Sequence, residues 1–297
     1  AFLAYDTDGQ GKALMPDAEA RTLKADAIEI YHAMDGWGTN EEKVYAGLEG
    51  KSDEERAQIE AAYLAYSKER FAASSGIDVA QVQDGEVLNL EEKIKDDFNF
   101  TGDNKWGDNY EGDIALGLLH GNEMAVKAAR LEQASDGWFF GGGTDEKAIL
   151  ANLKDPNLQE PDPSDPDYPT KLAAYQKATE NRRQLEELYE QRYNRSIENM
   201  LNSELGQDQD DPMRDLAQQT LEKGDGDRVT KVAAATDGFG TDEDLLKEAF
   251  TDSSGNALPK SDVQKLLTEL GEDGVNDILW EVGGKDQLDL EVLMLGK

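Results

Sequence analysis

Met34-Asp35-Gly36-Trp37-Gly38-Thr39-Asn40-Glu41 is the first of three related stretches in this sequence. The second runs from Ser135-Asp136-Gly137-Trp138 to Gly143-Thr144-Asp145-Glu146, and the third is Thr236-Asp237-Gly238-Phe239-Gly240-Thr241-Asp242-Glu243. Each contains Asp-Gly-aromatic followed by Gly-Thr-(Asn/Asp)-Glu, and the second has four extra residues at 139–142. Gly36, Gly137 and Gly238 lie 101 residues apart. A fixed period of this kind indicates a repeat architecture.

Each stretch has the composition of a cation-binding loop followed by the start of a helix. Two glycines around one bulky residue permit a tight turn, which leaves backbone carbonyl oxygens free to point at one place. Thr39 and its counterparts, followed by acidic residues, predict a helix with threonine as its N-cap. Carbonyl and carboxylate oxygens together suit Ca²⁺. The alternative is a capped helical turn that binds nothing, but three copies with surplus acid favour the cation.

The composition limits the possible functions. Of the 297 residues, 64 are acidic and 30 are basic, which gives a net charge of −34. This charge repels phosphate, so it argues against direct binding to nucleic acid or to bare anionic lipid, whereas it fits multivalent cations. The absence of cysteine excludes disulfides and thiolate metal sites. No cysteine or serine nucleophile stands beside His32 or His120, so we expect no enzymatic activity.

Apolar residues recur at helical spacing along the chain, which predicts an all-α fold, an array of repeats with about five helices each. Residues 72–88 interrupt this pattern and are rich in Gly, Ser, Ala and Gln. Residues 155–169 hold five of the eight prolines and predict an extended acidic insertion. The expected organisation is an N-terminal segment at 1–16 and repeats at 17–121, 122–223 and 224–297. We expect the three loops on one face of a curved array.

The repeats resemble those of annexins. An annexin repeat has a loop of the form Met-Lys-Gly-x-Gly-Thr-(Asp)-Glu between its first two helices, and an acidic residue on the loop after its fourth helix. In the third repeat here, Glu281 follows Thr241 at the annexin spacing of 40 positions. In the second repeat, residues 193–205 are similar to the annexin fourth-helix segment, and Glu204 takes the place of the acid.

In the first repeat, the residue that takes the place of the annexin acid depends on whether residues 72–88 are counted as an insertion. Residues 90–98 match the annexin fourth helix once residues 72–88 are counted as an insertion, and the acid is then Asp97. Asp78 satisfies the bare spacing, but Asp97 has the helical context. The resemblance covers residues from about 20 to 295.

The resemblance implies one Ca²⁺ site in each repeat, because the annexin loop offers carbonyl oxygens to Ca²⁺ and the acid closes the site. The implied ligands are Met34, Gly36, Gly38 and Asp97; Ser135, Gly137, Gly143 and Glu204; and Thr236, Gly238, Gly240 and Glu281. A weaker second site would use Thr39 with Glu41, and the equivalent pairs in the other repeats.

The sequence also departs from the annexin pattern. Annexin cores have four repeats, whereas three are found here. The lysine before the first glycine is replaced by Asp35, Asp136 and Asp237, which adds negative charge beside each predicted site.

Aromatic residues lie between the glycines of the loops, namely Trp37, Trp138 and Phe239. At a loop tip such a ring projects into the lipid interface, where aromatic side chains are favoured. The alternative is a ring that folds back onto its own helices.

The resemblance implies Ca²⁺-dependent binding to acidic phospholipid membranes, with Ca²⁺ bridging protein oxygens and lipid phosphate. The alternative is a calcium-stabilised structural or adhesive module of a larger surface or extracellular assembly protein, with self-assembly or neighbouring parts of a parent protein as its partners. No apolar run is long enough to span a membrane, and no signal peptide is visible. The two functional interpretations favour a peripheral membrane location or an extracellular or cell-surface one.

Overall fold

The computed structural model describes residues 18–36, 38–83, 85–98, 109–136, 144–205, 211–237, 242–252, 255–281 and 284–297. Within these ranges the chain is predominantly α-helical, and the extended pairing is limited to one antiparallel bridge between Thr251 and Ala257. The all-α class predicted from the apolar periodicity is confirmed. No helix in these ranges is both long and apolar enough to cross a membrane.

Fourteen α-helices follow one another in the described part of the chain. They are α1 (Ala18–Ala33), α2 (Glu41–Leu48), α3 (Asp53–Ser75), α4 (Leu90–Phe98), α5 (Tyr110–Leu119), α6 (Glu123–Asp136), α7 (Glu146–Leu153), α8 (Tyr168–Tyr193), α9 (Ile197–Glu204), α10 (Pro212–Lys223), α11 (Arg228–Thr236), α12 (Glu243–Ala249), α13 (Lys260–Glu281) and α14 (Gly284–Leu295). Short 3₁₀ turns at Val79–Gln81 and Pro156–Leu158 precede α4 and α8.

Side-chain caps explain where several helices begin. Ser52 begins α3 with a capping box, as the sequence predicts. The caps of α2, α7 and α12 are Asn40, Asp145 and Asp242, whose side chains accept backbone N–H bonds. The prediction that Thr39 and its counterparts are the N-caps is therefore wrong by one residue. The physical reason is that the Asn or Asp oxygen, one position later, reaches the free N–H groups of the first turn.

The chain divides into two compact units, residues 1–129 and 130–297. In the first unit α1 packs on α2 and α3, and α5 packs on α2 and α4. The core between them is fully buried at Ile30, Ile59 and Ile94. Each such side chain contributes about 2 kcal/mol through burial, so the predicted apolar faces are the main stabilising element.

The second unit has a core of the same kind. Its helix α11 packs on α10, α12 and α13. Val232, Leu246 and Phe250 are buried there, on the faces that the periodicity predicts. The predicted repeat boundaries lie elsewhere than the division at 129/130, and they remain predictions.

The two predicted insertions are more ordered than expected. Helix α3 continues to Ser75, so the interruption is shorter than 72–88, and Val82 within it is buried. The segment 155–169 is not wholly extended, because it contains the second 3₁₀ turn and the start of α8. Pro169 is tolerated in the first turn of α8 because the N–H groups there have no acceptor within the helix.

Helix α13 contains a break at Gly271. Its backbone (φ 71°, ψ −177°) lies in a region that is essentially open only to glycine. The chain therefore changes direction at this residue without an intervening loop.

Candidate metal sites

The first loop, between α1 and α2, is described at residues 34–36 and 38–41. Gly36 (φ 134°) and Gly38 (φ 93°) adopt positive φ, which residues with a Cβ rarely do. The Asn40 N–H donates to the Ala33 carbonyl at 2.9 Å and closes the loop at its base. The Met34 side chain is buried, whereas both glycines are exposed. The predicted two-glycine turn is thus present, with exposed backbone that can supply oxygen ligands.

Asp97 lies in the last turn of α4 and not on the loop after it. Its carboxylate pairs with Lys93, one turn earlier on the same helix. Burial raises the pKa of Tyr63, and the neighbouring Tyr31, Asp97 and Asp35 raise it further. Asp35 belongs to the first loop, so a loop residue and the predicted acid both influence the same hydroxyl group.

The alternative acid in the first repeat has a different role. The Asp78 carboxylate accepts the N–H of Ala80 at 2.8 Å and caps the 3₁₀ turn that follows it. This local bond accounts for an aspartate at the position.

In the second repeat a hydrogen bond joins the loop to the predicted acid. Thr144 Oγ1 donates to the backbone carbonyl of Glu204 at 3.3 Å, across 60 residues of sequence. Thr144 immediately precedes the N-cap of α7, and Glu204 is the last residue of α9. The end of the loop therefore lies against the end of the predicted fourth helix of this repeat.

Arg195 makes a second connection between the same two parts. Its Nη1 donates to Glu204 Oε1 at 3.1 Å, and its Nη2 donates to Ser135 Oγ at 2.9 Å. Nη2 also contacts both carboxylate oxygens of Glu132, at 3.1 and 3.0 Å. Glu132 in turn accepts a hydrogen bond from the Tyr189 hydroxyl. One guanidinium thus ties Ser135 and Glu204, two predicted ligands, to the buried interior.

The groups around Arg195 and Tyr189 shift the pKa values of these two side chains. Burial alone would lower the pKa of Arg195, but its bond with Glu132, the adjacent Tyr189 and its bond with Glu204 raise it overall. Burial also raises the pKa of Tyr189, and the bond with Glu132 raises it further. At neutral pH the cluster therefore contains a cationic guanidinium and a neutral phenol.

Less of the third site is described. Thr236 is the last residue of α11, and its hydroxyl donates to the Val232 carbonyl at 3.0 Å. Glu281 is the last residue of α13. The predicted acids Asp97, Glu204 and Glu281 thus share a position in the last turn of a helix.

Several predicted residues lie outside the described residues. These are the loop glycines Gly137, Gly143, Gly238 and Gly240, and the aromatic residues Trp37, Trp138 and Phe239. Their roles as calcium ligands and membrane contacts stay predictions.

The starts of α7 and α12, which follow the second and third loops, lie close together. Lys147 of α7 pairs with Asp242 at 3.0 Å. Burial raises the pKa of Glu146, the counterpart of Glu41, and four neighbouring carboxylates raise it further. These neighbours are Asp211, Asp145, Asp237 and Asp242. Asp145, Asp237 and Asp242 line a cavity of about 800 Å³ together with apolar side chains such as Leu150 and Leu216. Lys147, Lys154 and Lys231 also line this cavity, so it carries charges of both signs.

The predicted donor sets consist of oxygen atoms, which suit a hard cation. In the parts of the chain that can be examined, no three His, Cys, Asp or Glu side chains are grouped so that they could hold a metal ion. Each predicted site accordingly depends on backbone carbonyls and a single acid. The fit is better in the first repeat, where the glycine turn is exposed, than in the second, where Arg195 already binds Glu204 and Ser135.

Arg195 and Glu132 were missing from the predicted second site. A signal for Glu132 was present in the sequence, because it lies three residues before Ser135 and next to the apolar Leu131 on a predicted helix. A carboxylate on the buried side of a helix requires a partner. Sequence alone does not identify that partner as Arg195, which is 63 residues away.

No family model matches this chain, and no curated protein matches it. Solved structures do match. Annexin III is 18% identical, with 94% of this chain and 71% of annexin III covered and a TM-score of 0.32. Calcium-bound alpha-14 giardin is 14% identical, with 92% and 75% covered and a TM-score of 0.31. Chicken annexin V in complex with Zn²⁺ is 14% identical, with 93% and 96% covered and a TM-score of 0.27. These three solved structures are thus two annexins and a giardin.

Proposed function

We propose that this protein is an annexin-like, calcium-dependent binder of acidic phospholipid membranes. Loop carbonyls in each repeat and the acids Asp97, Glu204 and Glu281 hold the cation. The observation that carries the proposal is the hydrogen bond from Thr144 to the Glu204 carbonyl. It joins a loop to its distant acid, as the resemblance requires.

Charge explains why a cation is needed. A chain with a net charge of −34 is repelled by an anionic membrane. When bound, Ca²⁺ supplies a positive charge that protein oxygens and lipid phosphate oxygens share. The loop backbone and the acid position that charge at the protein surface, and the helix ends hold both parts in place.

The aromatic residues provide the second part of the interaction. Trp37, Trp138 and Phe239 enter the interfacial region of the membrane once the loops have docked. Partial burial of each ring contributes about 1–3 kcal/mol. This contribution is apolar, so it persists at salt concentrations that screen the charges.

Co-sedimentation with vesicles tests the proposal. The chain should pellet with phosphatidylserine vesicles in Ca²⁺, and remain in the supernatant in EDTA or with pure phosphatidylcholine. The triple variant Asp97→Asn, Glu204→Gln, Glu281→Gln should need at least about tenfold more Ca²⁺, since each change removes a charged ligand of a hard cation. The matched control is Glu269→Gln, an exposed acid on α13, and it should behave as wild type.

Two outcomes would contradict the proposal. Equal calcium dependence of wild type and triple variant would show that these acids are not ligands. If Ca²⁺ raised the melting temperature while all vesicles left the protein in the supernatant, the chain would instead be a calcium-stabilised structural or adhesive module.

A further inference from the structure

The second predicted site differs from the others at one position. Nine residues before the acid, the first repeat has Leu88, the second Arg195 and the third Glu272. A positively charged side chain therefore occurs at this position in the second repeat alone. Arg195 lies in the short link between α8 and α9. The residue before it, Asn194, has a left-handed backbone conformation (φ 54°).

We propose that Arg195 is a built-in counter-ion of the second site, which competes with Ca²⁺ for Glu204 and remains with Glu132 when Ca²⁺ binds. This inference rests on the proposed function, because it concerns the regulation of one of the proposed sites.

Competition follows from the atoms that are already engaged. Arg195 Nη1 occupies Glu204 Oε1 at 3.1 Å, whereas its contact with Ser135 is to the hydroxyl and leaves the backbone carbonyl free of the guanidinium. A carboxylate that closes a calcium site bidentately offers both of its oxygens to the metal. The guanidinium and Ca²⁺ also repel each other at such short range. Binding at the second site therefore requires Glu204 to exchange one cation for the other.

Glu132 makes this exchange feasible. The Glu132 side chain is 9% exposed, and both of its carboxylate oxygens already contact Arg195. Its Tyr189 partner is buried as well. When Glu204 is withdrawn, neither Arg195 nor Glu132 is left as an unpaired buried charge, which would be strongly destabilising. The guanidinium therefore keeps its inner partner and loses only its outer one.

The strength of the competition is limited by exposure. The side chains of Arg195 and Glu204 are 29% and 28% exposed, so water screens their attraction. Pairs of this kind alter an equilibrium by about two- to fivefold. The second site is thus weakened by Arg195 and not abolished, and it fills at higher Ca²⁺ concentrations than it would without the arginine.

Calorimetry measures this effect directly. In an Asp97→Asn, Glu281→Gln background the second site is the one that remains with its acid. Adding Glu132→Gln with Arg195→Gln leaves the net charge unchanged and should tighten Ca²⁺ binding about two- to fivefold. The matched control is the charge-neutral pair Glu180→Gln with Arg183→Gln, an exposed ion pair on α8, which should leave the affinity unaltered.

A second measurement avoids changes in the core. In ¹⁵N spectra of the arginine side chains, Ca²⁺ should shift the Arg195 signal, and Glu204→Gln without Ca²⁺ should shift it in the same direction. The Arg183 signal should not move. This experiment remains decisive even where the double variant at 132 and 195 fails to fold.

The outcomes separate the inference from the function on which it rests. Unchanged affinity in the folded double variant, or an Arg195 signal unaffected by bound Ca²⁺, would overturn the inference while leaving calcium binding intact. No calcium binding by the wild type or by any folded variant would overturn the proposed function itself.

Discussion

The first and second candidate sites share a loop motif and a distant acid, but their acids are held in different ways. Asp97 pairs with Lys93, one turn earlier on the same helix. Glu204 pairs with Arg195, which also binds Glu132 and Ser135 on α6. The first contact is local, whereas the second joins the site to the core of its unit.

This difference shows that a repeated motif predicts where a site lies without predicting which side chains pair with its acid. A local lysine pair is weak and replaceable, because it holds two partly exposed groups. A guanidinium shared with a buried carboxylate also contributes to folding. Removing each cation's partner in turn should therefore affect stability very differently.

The largest expected effect concerns Glu132. Glu132→Ala leaves the Arg195 guanidinium and the Tyr189 hydroxyl without their buried acceptor, and should lower the free energy of unfolding by about 3 kcal/mol. Asp97→Ala, which removes the partner of Lys93 in the first repeat, should cost less than about 1 kcal/mol. Urea unfolding followed by circular dichroism measures both. Equal losses would remove the distinction between a local and a core-linked site.

The next effect separates the sites by their response to calcium. At about 100 times the dissociation constant, a bound ligand stabilises the folded state by about 2.7 kcal/mol. Asp97→Asn should remove more of the calcium-dependent rise in melting temperature than Glu204→Gln, because the second site is already partly neutralised by Arg195. Asp78→Asn is the control, since asparagine caps a turn as well as aspartate does. A larger loss for Asp78→Asn would reassign the acid of the first repeat.

The smallest expected effect distinguishes the start of α7, at Glu146, from the start of α2, at Glu41. Burial and neighbouring carboxylates raise the pKa of Glu146, so ionisation costs the folded state more than the unfolded state. This cost is absent at low pH and complete above the raised pKa. Glu146→Gln should therefore raise the melting temperature by about 1–2 °C at pH 7, and the gain should vanish near pH 4.

The equivalent change in the first repeat should have the opposite sign. Glu41 lies in the first turn of α2, where a negative charge is favourable, so Glu41→Gln should slightly lower the stability. A double-mutant cycle with Asp237→Asn tests the cause of the Glu146 effect. Without coupling between Glu146 and Asp237, carboxylate crowding would not explain the result.

Much of the fold was predictable because each helix has a buried apolar face. Ile30, Ile94 and Val232 fall at helical spacing, and all three are buried in the structure. Glycine, proline and capping residues are weaker signals. A composition rich in Gly, Ser, Ala and Gln predicted an interruption at 72–88, whereas α3 extends to Ser75.

The candidate sites stay predictions, and the surroundings of their acids could not be predicted. Helical context suggested Asp97, similarity to a fourth-helix segment suggested Glu204, and in the structure Thr144 of the second loop contacts the Glu204 backbone. The partners of these acids depend on side chains that tertiary packing brings together. Lys93 is four residues from Asp97 and could be predicted from helical spacing, whereas Glu132 and Arg195 meet only in the folded chain.

The break at Gly271 affects where Glu281, the predicted acid of the third site, lies. From this pivot to Glu281 the helix is about 15 Å long, so a rotation of about 10° displaces its far end by about 2.6 Å. A displacement of that size exceeds the length of a calcium–oxygen bond, about 2.4 Å. An added methyl group at position 271 would meet no neighbouring atom, so Gly271→Ala acts through the backbone alone. The backbone position of Glu281, the predicted third acid, is therefore set largely by the torsion angles of a single residue.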